Sequence, residues 1–409
     1  MKNATSGLAS VKERIRETVE RHASELEDLA DSIHSKPEVA FEERFASQRV
    51  AKAMSDHGFE VARGAYGLDT AVLAQAGGGP FWIAFCAEYD ALPDIGHACG
   101  HNIIAAAAVG AAQALQELSG ELGIGVRLLG TPAEEVGDNG GKIIMLEHGA
   151  WDDVALTMMV HPGPFDDLAP ALIAISAFQV EFHGREVHAT FFSHHGVNAG
   201  AAATISQVAL AELRQQLQPH EYVHGIIEKF GSSANTLSGY SRLKYMIRSK
   251  SIAELEDLRA RVLRCFEAGS VATGASMQVS GGDHPYAPLQ TNEEIAAVFR
   301  DNMAEFSDRR FPRIGEGPPT SAGSDMGNVS AIVPTIHPML GLGTFPVVNH
   351  QAEFTGYCIG SQARRAIIDG AIGMACTAAE VALHEEYRTQ LCNFRKDTRQ
   401  PGGERAGGT

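Results

Sequence analysis

Positive charge is scarce in this sequence: 33 Lys plus Arg stand against 50 Asp plus Glu, a formal net charge of −17. That field repels a polyanion, and no Lys/Arg-rich run offsets it locally, so nucleic acid is excluded as a partner and a small-molecule substrate is expected. Cysteine is sparse as well. Cys86, Cys99, Cys265, Cys358, Cys376 and Cys392 are scattered without paired spacing and read as reduced thiols, not as a disulfide framework. No uninterrupted apolar run approaches the about 18 residues that a membrane helix needs, so no membrane span is expected. The opening residues lack the apolar core of a secretory signal, and a cytoplasmic location is the expectation. No G-x-S-x-G elbow, P-loop or dinucleotide glycine motif occurs, which leaves serine-hydrolase and nucleotide chemistry without support. No internal repeat is evident.

What is present is ordinary for a globular protein, with 44% hydrophobic and 20% charged residues. At 409 residues the chain exceeds the about 250–300 residues at which a single core stops growing, so two domains are expected. Val11, Ile15, Val19, Leu26 and Leu29 recur at helical spacing, and a second amphipathic stretch covers 45–54. Strand-like runs follow at 71–76, 81–90, 124–132 and 155–161, with a small-residue helix at 103–115. Near-continuous apolar strands alternating with helices predict an α/β layered domain. From about Ser176 the strands alternate apolar and polar instead, at 178–184, 243–249 and 276–282, with helices over 199–217 and 252–268. This β-α-β-β-α-β-like block reads as an α+β domain inserted into the larger one. The expected organisation is a catalytic part at 1–175, the insertion at 176–287, a second catalytic part at 288–390 with a strand-like run at 332–343 and a helix at 360–384, and a flexible tail at 391–409.

Metal-capable side chains lie just after the buried strands, where open α/β sheets place their ligand crevice. The run 81–90 leads into Glu88, Asp90, His97, Cys99 and His101. The run 124–132 ends in Glu134 and Glu135, the run 155–161 ends in His161, and His350 follows the last strand pattern. A thiolate, imidazoles and a carboxylate suit Zn²⁺ or, with more oxygen character, Mn²⁺. In Cys99-Gly100-His101 the glycine lets the chain turn tightly between two donors. Of the adjacent carboxylates, one can bind metal while its neighbour acts as general base on an activated water. Taken singly, each has a plainer reading. Cys99 is a small buried hydrophobe, His161 a hydrogen-bonded structural histidine, and the Glu pair a complement to a helix N-terminus. Co-location at four strand ends favours the metal.

The segments DALPDIGHACGHN, GTPAEE, MMVHPG, GREVHA and SAGSDMGNVSAIVPTIHP, with the early IHSKPEVAFEE, are together similar to the aminoacylase, hippurate-hydrolase and indoleacetyl-amino-acid hydrolase family of metallo-amidohydrolases. Within it they most resemble the aminobenzoyl-glutamate hydrolase and β-alanyl-dipeptidase-like branch. The likeness runs from about residue 25 to 385. It implies a phosphorylase/hydrolase-like central mixed sheet with helices on both faces, plus a ferredoxin-like lid and dimerisation domain. It also implies two divalent ions, Mn²⁺ or Zn²⁺, with Cys99 bridging, His101 and His161 completing one site, and Glu135 and His350 the other. Glu134 becomes the general base, and His188 the histidine a homodimer donates across its interface to the oxyanion. Asn235 and Arg248 match positions that hold the substrate carboxylate, Arg248 by a bidentate fork. Asp90 is expected to orient the site, and Glu88 is a minor candidate ligand.

Asn102 stands where many relatives have Asp, Thr236 and Leu237 replace an Ile-Pro pair, and the lid segment ATFFSHHGVNAG is rich in aromatics and histidine. These departures sit where the substrate is read and leave the metal ligands alone. The leading expectation is a hydrolase of the amide bond in a small N-acyl or aminobenzoyl amino acid or a dipeptide with a free carboxylate. A hydrolytic deaminase of an aromatic amine, motivated by Phe191 and Phe192, and a non-catalytic binding protein are the alternatives.

Overall fold

The computed structural model describes residues 2–318 and 321–398. Its larger sheet has six strands in the order Glu60–Arg63, Val72–Gly77, Gly125–Thr131, Trp82–Glu88, Val154–Met158 and Thr335–Ile336. The last four run parallel and the first two antiparallel, so the sheet is mixed. The central run is apolar throughout because both of its faces are covered. Ile83, Phe85 and Ala87 join one apolar cluster with helix residues Leu26, Val109 and Met374. Ala84 and Cys86 join another on the opposite face with Met145 and Met326.

The first face carries Lys2–Arg21, Ala23–His34, His101–Gln116, Glu293–Phe306 and Gly360–Leu383. The last is long and apolar enough to cross a membrane by length and composition, but its apolar window is 78% buried inside the protein. It is a core helix. It lies against His101–Gln116, whose small side chains permit a close crossing. A Cβ at Gly110 would stand 2.7 Å from Leu26 Cδ1 and 3.0 Å from Ala371 Cβ.

The inserted unit is a four-stranded antiparallel sheet in the order Ser276–Gly281, Ala174–His183, Tyr240–Ser249 and Tyr222–Lys229. In chain order this is a 4-1-3-2 arrangement of a β-α-β-β-α-β unit. Helices Ala199–Leu213 and Ile252–Thr273 cover one face through Phe178, Val180, Leu243, Leu258 and Phe266. Alternating burial along the strands follows from that one-sided cover. The unit's two connections to the larger domain pass side by side, with Ile175 and Tyr286 exchanging backbone hydrogen bonds of 3.1 and 2.8 Å.

Three features differ from expectation. The helix Glu293–Phe306 and edge strand Glu60–Arg63 have no counterpart among the elements expected from sequence. The run 332–343 is not one strand: Thr335–Ile336 stays in the main sheet, and Met339–Gly341 pairs instead with His161–Gly163. The Met159 N–H still donates to the Ile336 carbonyl and the His161 N–H to the Pro338 carbonyl, but Pro338 has no N–H to return, so the ladder is interrupted there. Finally, a helix Glu385–Thr398 occupies the start of the span expected as a flexible tail, and 399–409 lie outside the described residues.

Gly110→Val forces helices apart in a filled core and is expected to cost about 1–3 kcal/mol of stability. Urea unfolding measures this, and an unmoved midpoint would show that the crossing has room to spare.

Candidate metal centre

The expected donors meet in a crevice at the carboxyl ends of the parallel strands. Cys99, His101 and His161 place their ligand atoms within 4.8 Å of one another, as do Cys99, Glu135 and His350, and as do His101, Glu134 and Glu135. Cys99 is common to the first two groups, the position a bridging donor needs. Its Sγ is 3.5 Å from His161 Nε2, and His350 Nε2 is 3.3 Å from Glu135 Oε1. Gly100 between the paired donors has φ 83°, and a Cβ there would stand 2.5 Å from Pro162 Cγ. The tight turn therefore requires glycine.

The rings are aimed by their far nitrogens. His101 Nδ1 is 2.9 Å from Asp90 Oδ1, and His161 Nδ1 is 2.8 Å from the Pro162 carbonyl, so both present Nε2 to the crevice. Asp90 acts twice, because its Oδ2 accepts the Glu135 N–H at 3.0 Å. It orients two donors and ligates neither. Asn349 Nδ2 donates to the Pro162 carbonyl at 3.0 Å and to the Cys99 carbonyl at 3.3 Å, tying three donor segments together.

Charge in the crevice is biased toward electron pairs. Burial and the Glu135 carboxylate push the Cys99 thiol up, but the His161 and His101 imidazoles outweigh them and bring it to about 6. Burial pushes His350 down, yet Cys99 and Glu135 hold its proton up to about 11. Burial and the neighbouring Glu135, Glu88 and Asp325 carboxylates raise Glu134 well above the carboxylate range. His101 Nε2 is buried without a well-aligned hydrogen-bond partner among the described residues, facing Glu88 at 3.5 Å and Glu135 at 3.7 Å. An orphaned imidazole nitrogen amid a thiol and carboxylates fits a soft-to-borderline divalent cation.

Several participants carry no signal in the sequence. Lys142 is wholly buried and pairs with Glu88 at 2.6 Å and with Asp325, so Glu88 belongs to an internal ion network rather than standing free as a ligand. His337 is buried beside His161, ring centroids 5.6 Å apart, and burial with the His161 charge pulls its pKa down to about 3. Tyr286 donates its hydroxyl to the Glu134 carbonyl at 2.6 Å.

Beside the donors lies a cavity of about 650 Å³ whose walls include Glu134, His161, Phe165, Asp167, Arg248 and His337. Arg248 reaches it from the inserted unit, with its guanidinium donating to the Ser321 carbonyl at 2.6 Å. His188 and Asn235 do not line it. They stand together on the exposed side of the inserted unit, where Val187–His188 pairs with Thr236–Leu237 and the Asn235 carbonyl accepts the Ala189 N–H at 2.8 Å. Phe191 and Phe192 are exposed in the same region and do not line this cavity either.

A mixed α/β fold with clustered Cys, His and Glu donors beside a cavity defines the class of a metal-dependent hydrolase. Residues 81–356 match peptidase family M20/M25/M40, and the chain belongs to that family. It is 34% identical to the human Xaa-Arg dipeptidase over 405 residues, covering 94% of this chain and 92% of that one. To a p-aminobenzoyl-glutamate hydrolase chain of Escherichia coli it is 29% identical over 286 residues, covering 64% and 59%. Its fold is that of an aminobenzoyl-glutamate utilization protein from Klebsiella pneumoniae, with TM-score 0.70 at 18% identity over 90% of this chain and 98% of that one. A dinuclear metal binding peptidase of the M20 family from Bacillus subtilis aligns with TM-score 0.64 at 19% identity, covering 88% and 99%. The protein is a hydrolase acting on C–N bonds, and family and donor set together support divalent metals.

Asp90→Asn removes one of two accepting oxygens behind His101 and Glu135, and is expected to weaken divalent-metal affinity about 10–100-fold. Competition against a chromophoric chelator reads this directly. Wild-type affinity in the variant would show that both donors are oriented without it.

Proposed function

We propose that the protein hydrolyses the amide bond of a dipeptide or N-acyl amino acid bearing a free carboxylate, with two divalent ions, Mn²⁺ or Zn²⁺, held by Cys99, His101, His161, Glu135 and His350. The single observation that carries this reading is the sharing of Cys99 between two donor groups, with Glu134 alongside and held by neither His161 nor His350. When bound, the ions polarise the amide carbonyl and acidify water. Glu134, beside the donors and on the cavity wall, takes the proton of the attacking water and returns it to the leaving amine. Arg248 supplies the charged fork for the substrate carboxylate from the far wall of the cavity. The names of the relatives, a dipeptidase and an aminobenzoyl-glutamate hydrolase, support a small substrate of this shape.

His188 and Asn235 are exposed and away from their own chain's cavity, which favours their service in a partner's site: His188 at the oxyanion and Asn235 at the carboxylate. The functional unit is then a homodimer joined through the inserted unit. The edge strand Tyr222–Lys229 offers the exposed Ile226 and Ile227 for such an interface.

Glu134→Gln is expected to lower kcat about 10²–10⁴-fold on dipeptides or aminobenzoyl-glutamate while both metals are retained. Metal analysis alongside turnover checks both halves, and full hydrolysis by the variant would exclude Glu134 as the base. Mixing His188→Ala protomers with Glu134→Gln protomers should restore activity to hybrid dimers if the histidine crosses the interface. No recovery from verified hybrids would place His188 outside the chemistry.

A further inference from the structure

The segment that carries Glu134 is held in a conformation its own residues do not favour. Ala133, immediately before it, has φ 58°, in the left-handed region where a residue with a Cβ is strained. Such a backbone persists only where its surroundings over-determine it, and here four polar groups of the segment are tied. The Ala133 carbonyl accepts the Gly141 N–H at 3.3 Å, the Glu134 carbonyl accepts the Tyr286 hydroxyl at 2.6 Å, and the Glu135 N–H donates to Asp90. The remaining tether, on the strained residue itself, comes from a distant part of the chain. The Ala133 N–H donates to Glu43 Oε1 at 2.9 Å.

Glu43 is wholly buried, and its placement is itself fixed. The same Oε1 accepts the N–H of Phe41, a second left-handed residue with φ 64°, at 2.9 Å, while Oε2 accepts the Thr70 hydroxyl at 2.8 Å. A buried carboxylate with no cation against it is costly unless its oxygens are satisfied, and these are satisfied by two strained backbone amides and one hydroxyl. We infer that Glu43 is a positioning residue for the reaction, clamping Ala133 in its left-handed turn so that Glu134 projects into the crevice. The inference rests on the reading of Glu134 as general base, and it gives the early IHSKPEVAFEE segment a role that the donor set leaves unexplained.

Glu43→Met keeps the volume and removes the accepting oxygens. Its kcat is expected to fall roughly 10–100-fold with KM within about threefold, since the turn and not the substrate wall is affected. Ala133→Gly added to Glu43→Met should recover most of the loss, because glycine occupies that φ without strain. Amide hydrogen exchange of the peptide spanning 131–137 gives a readout independent of turnover: faster in Glu43→Met than in wild type with metal present. If Glu43→Met does not fold, Ala133→Val with Glu43 intact replaces it, as a β-branched residue resists this region and should lower kcat with KM unchanged. Three outcomes overturn the inference: wild-type kcat and exchange in a thermally weakened Glu43→Met, a loss of kcat that Ala133→Gly does not recover, or undiminished kcat in Ala133→Val. Should the wild type hydrolyse none of the substrates, the catalytic reading fails on that result, and the exchange comparison still decides whether Glu43 holds the turn.

Discussion

A surplus of buried electron pairs governs this structure. Glu88, Asp90, Glu134 and Asp325 are all buried in one region with the Cys99 thiol, and the internal basic side chain set among them is Lys142. Ionised carboxylates removed from water are tolerated only when paired or bound to metal. Lys142 serves Glu88 and Asp325, hydrogen bonds serve Asp90, and the region around Cys99, Glu134 and Glu135 is left to imidazole protons or to divalent ions. Burial alone would lower the His350 pKa, but Cys99 and Glu135 beside it outweigh burial and raise it to about 11. Catalytic capacity and the cost of folding share one origin: carboxylates kept close together and out of water.

The backbone meets this demand by interrupting its own regularity. The ladder between Val154–Met158 and Thr335–Ile336 is interrupted at Pro338, and the short pair His161–Gly163 and Met339–Gly341 follows it. Gly100 turns the chain between two donors, Ala133 adopts a left-handed conformation before the Glu pair, and His350 itself has φ 68°. Strained positions gather around the crevice because donor directions are set by chemistry and the chain is bent to supply them.

The inserted unit meets the larger domain beside the crevice, where Ile175, Tyr286 and Met246 pack with Val136 and Ile143. Its two connections are bridged at Ile175 and Tyr286, and Tyr286 reaches the Glu134 carbonyl while Arg248 reaches the cavity wall. Any rotation of this unit about its connections would thus be felt at the backbone of the proposed base and at Arg248 together.

Much was legible in the sequence alone. Apolar runs that end in Cys, Glu or His mark buried strands delivering donors to one edge, since strand burial is a local periodicity and ligand chemistry is a property of single side chains. The inserted block announced itself through three strands that alternate where the others do not, while its strand order came only from the structure. The residues that stayed hidden are defined by a partner: Lys142 and Asp325 are 183 positions apart, and Glu43 lies 90 from Ala133. On its own Lys142 is an ordinary helix lysine, Glu43 a charge before a helix, and His337 a histidine between prolines. Local pattern carries periodicity and chemical type, so the sequence by itself determined the layers, the candidate donors and the class of reaction. Tertiary structure alone decided which charges are buried against each other, which strands are neighbours and which backbone turns are strained, because these follow from contacts between segments that no local spacing encodes.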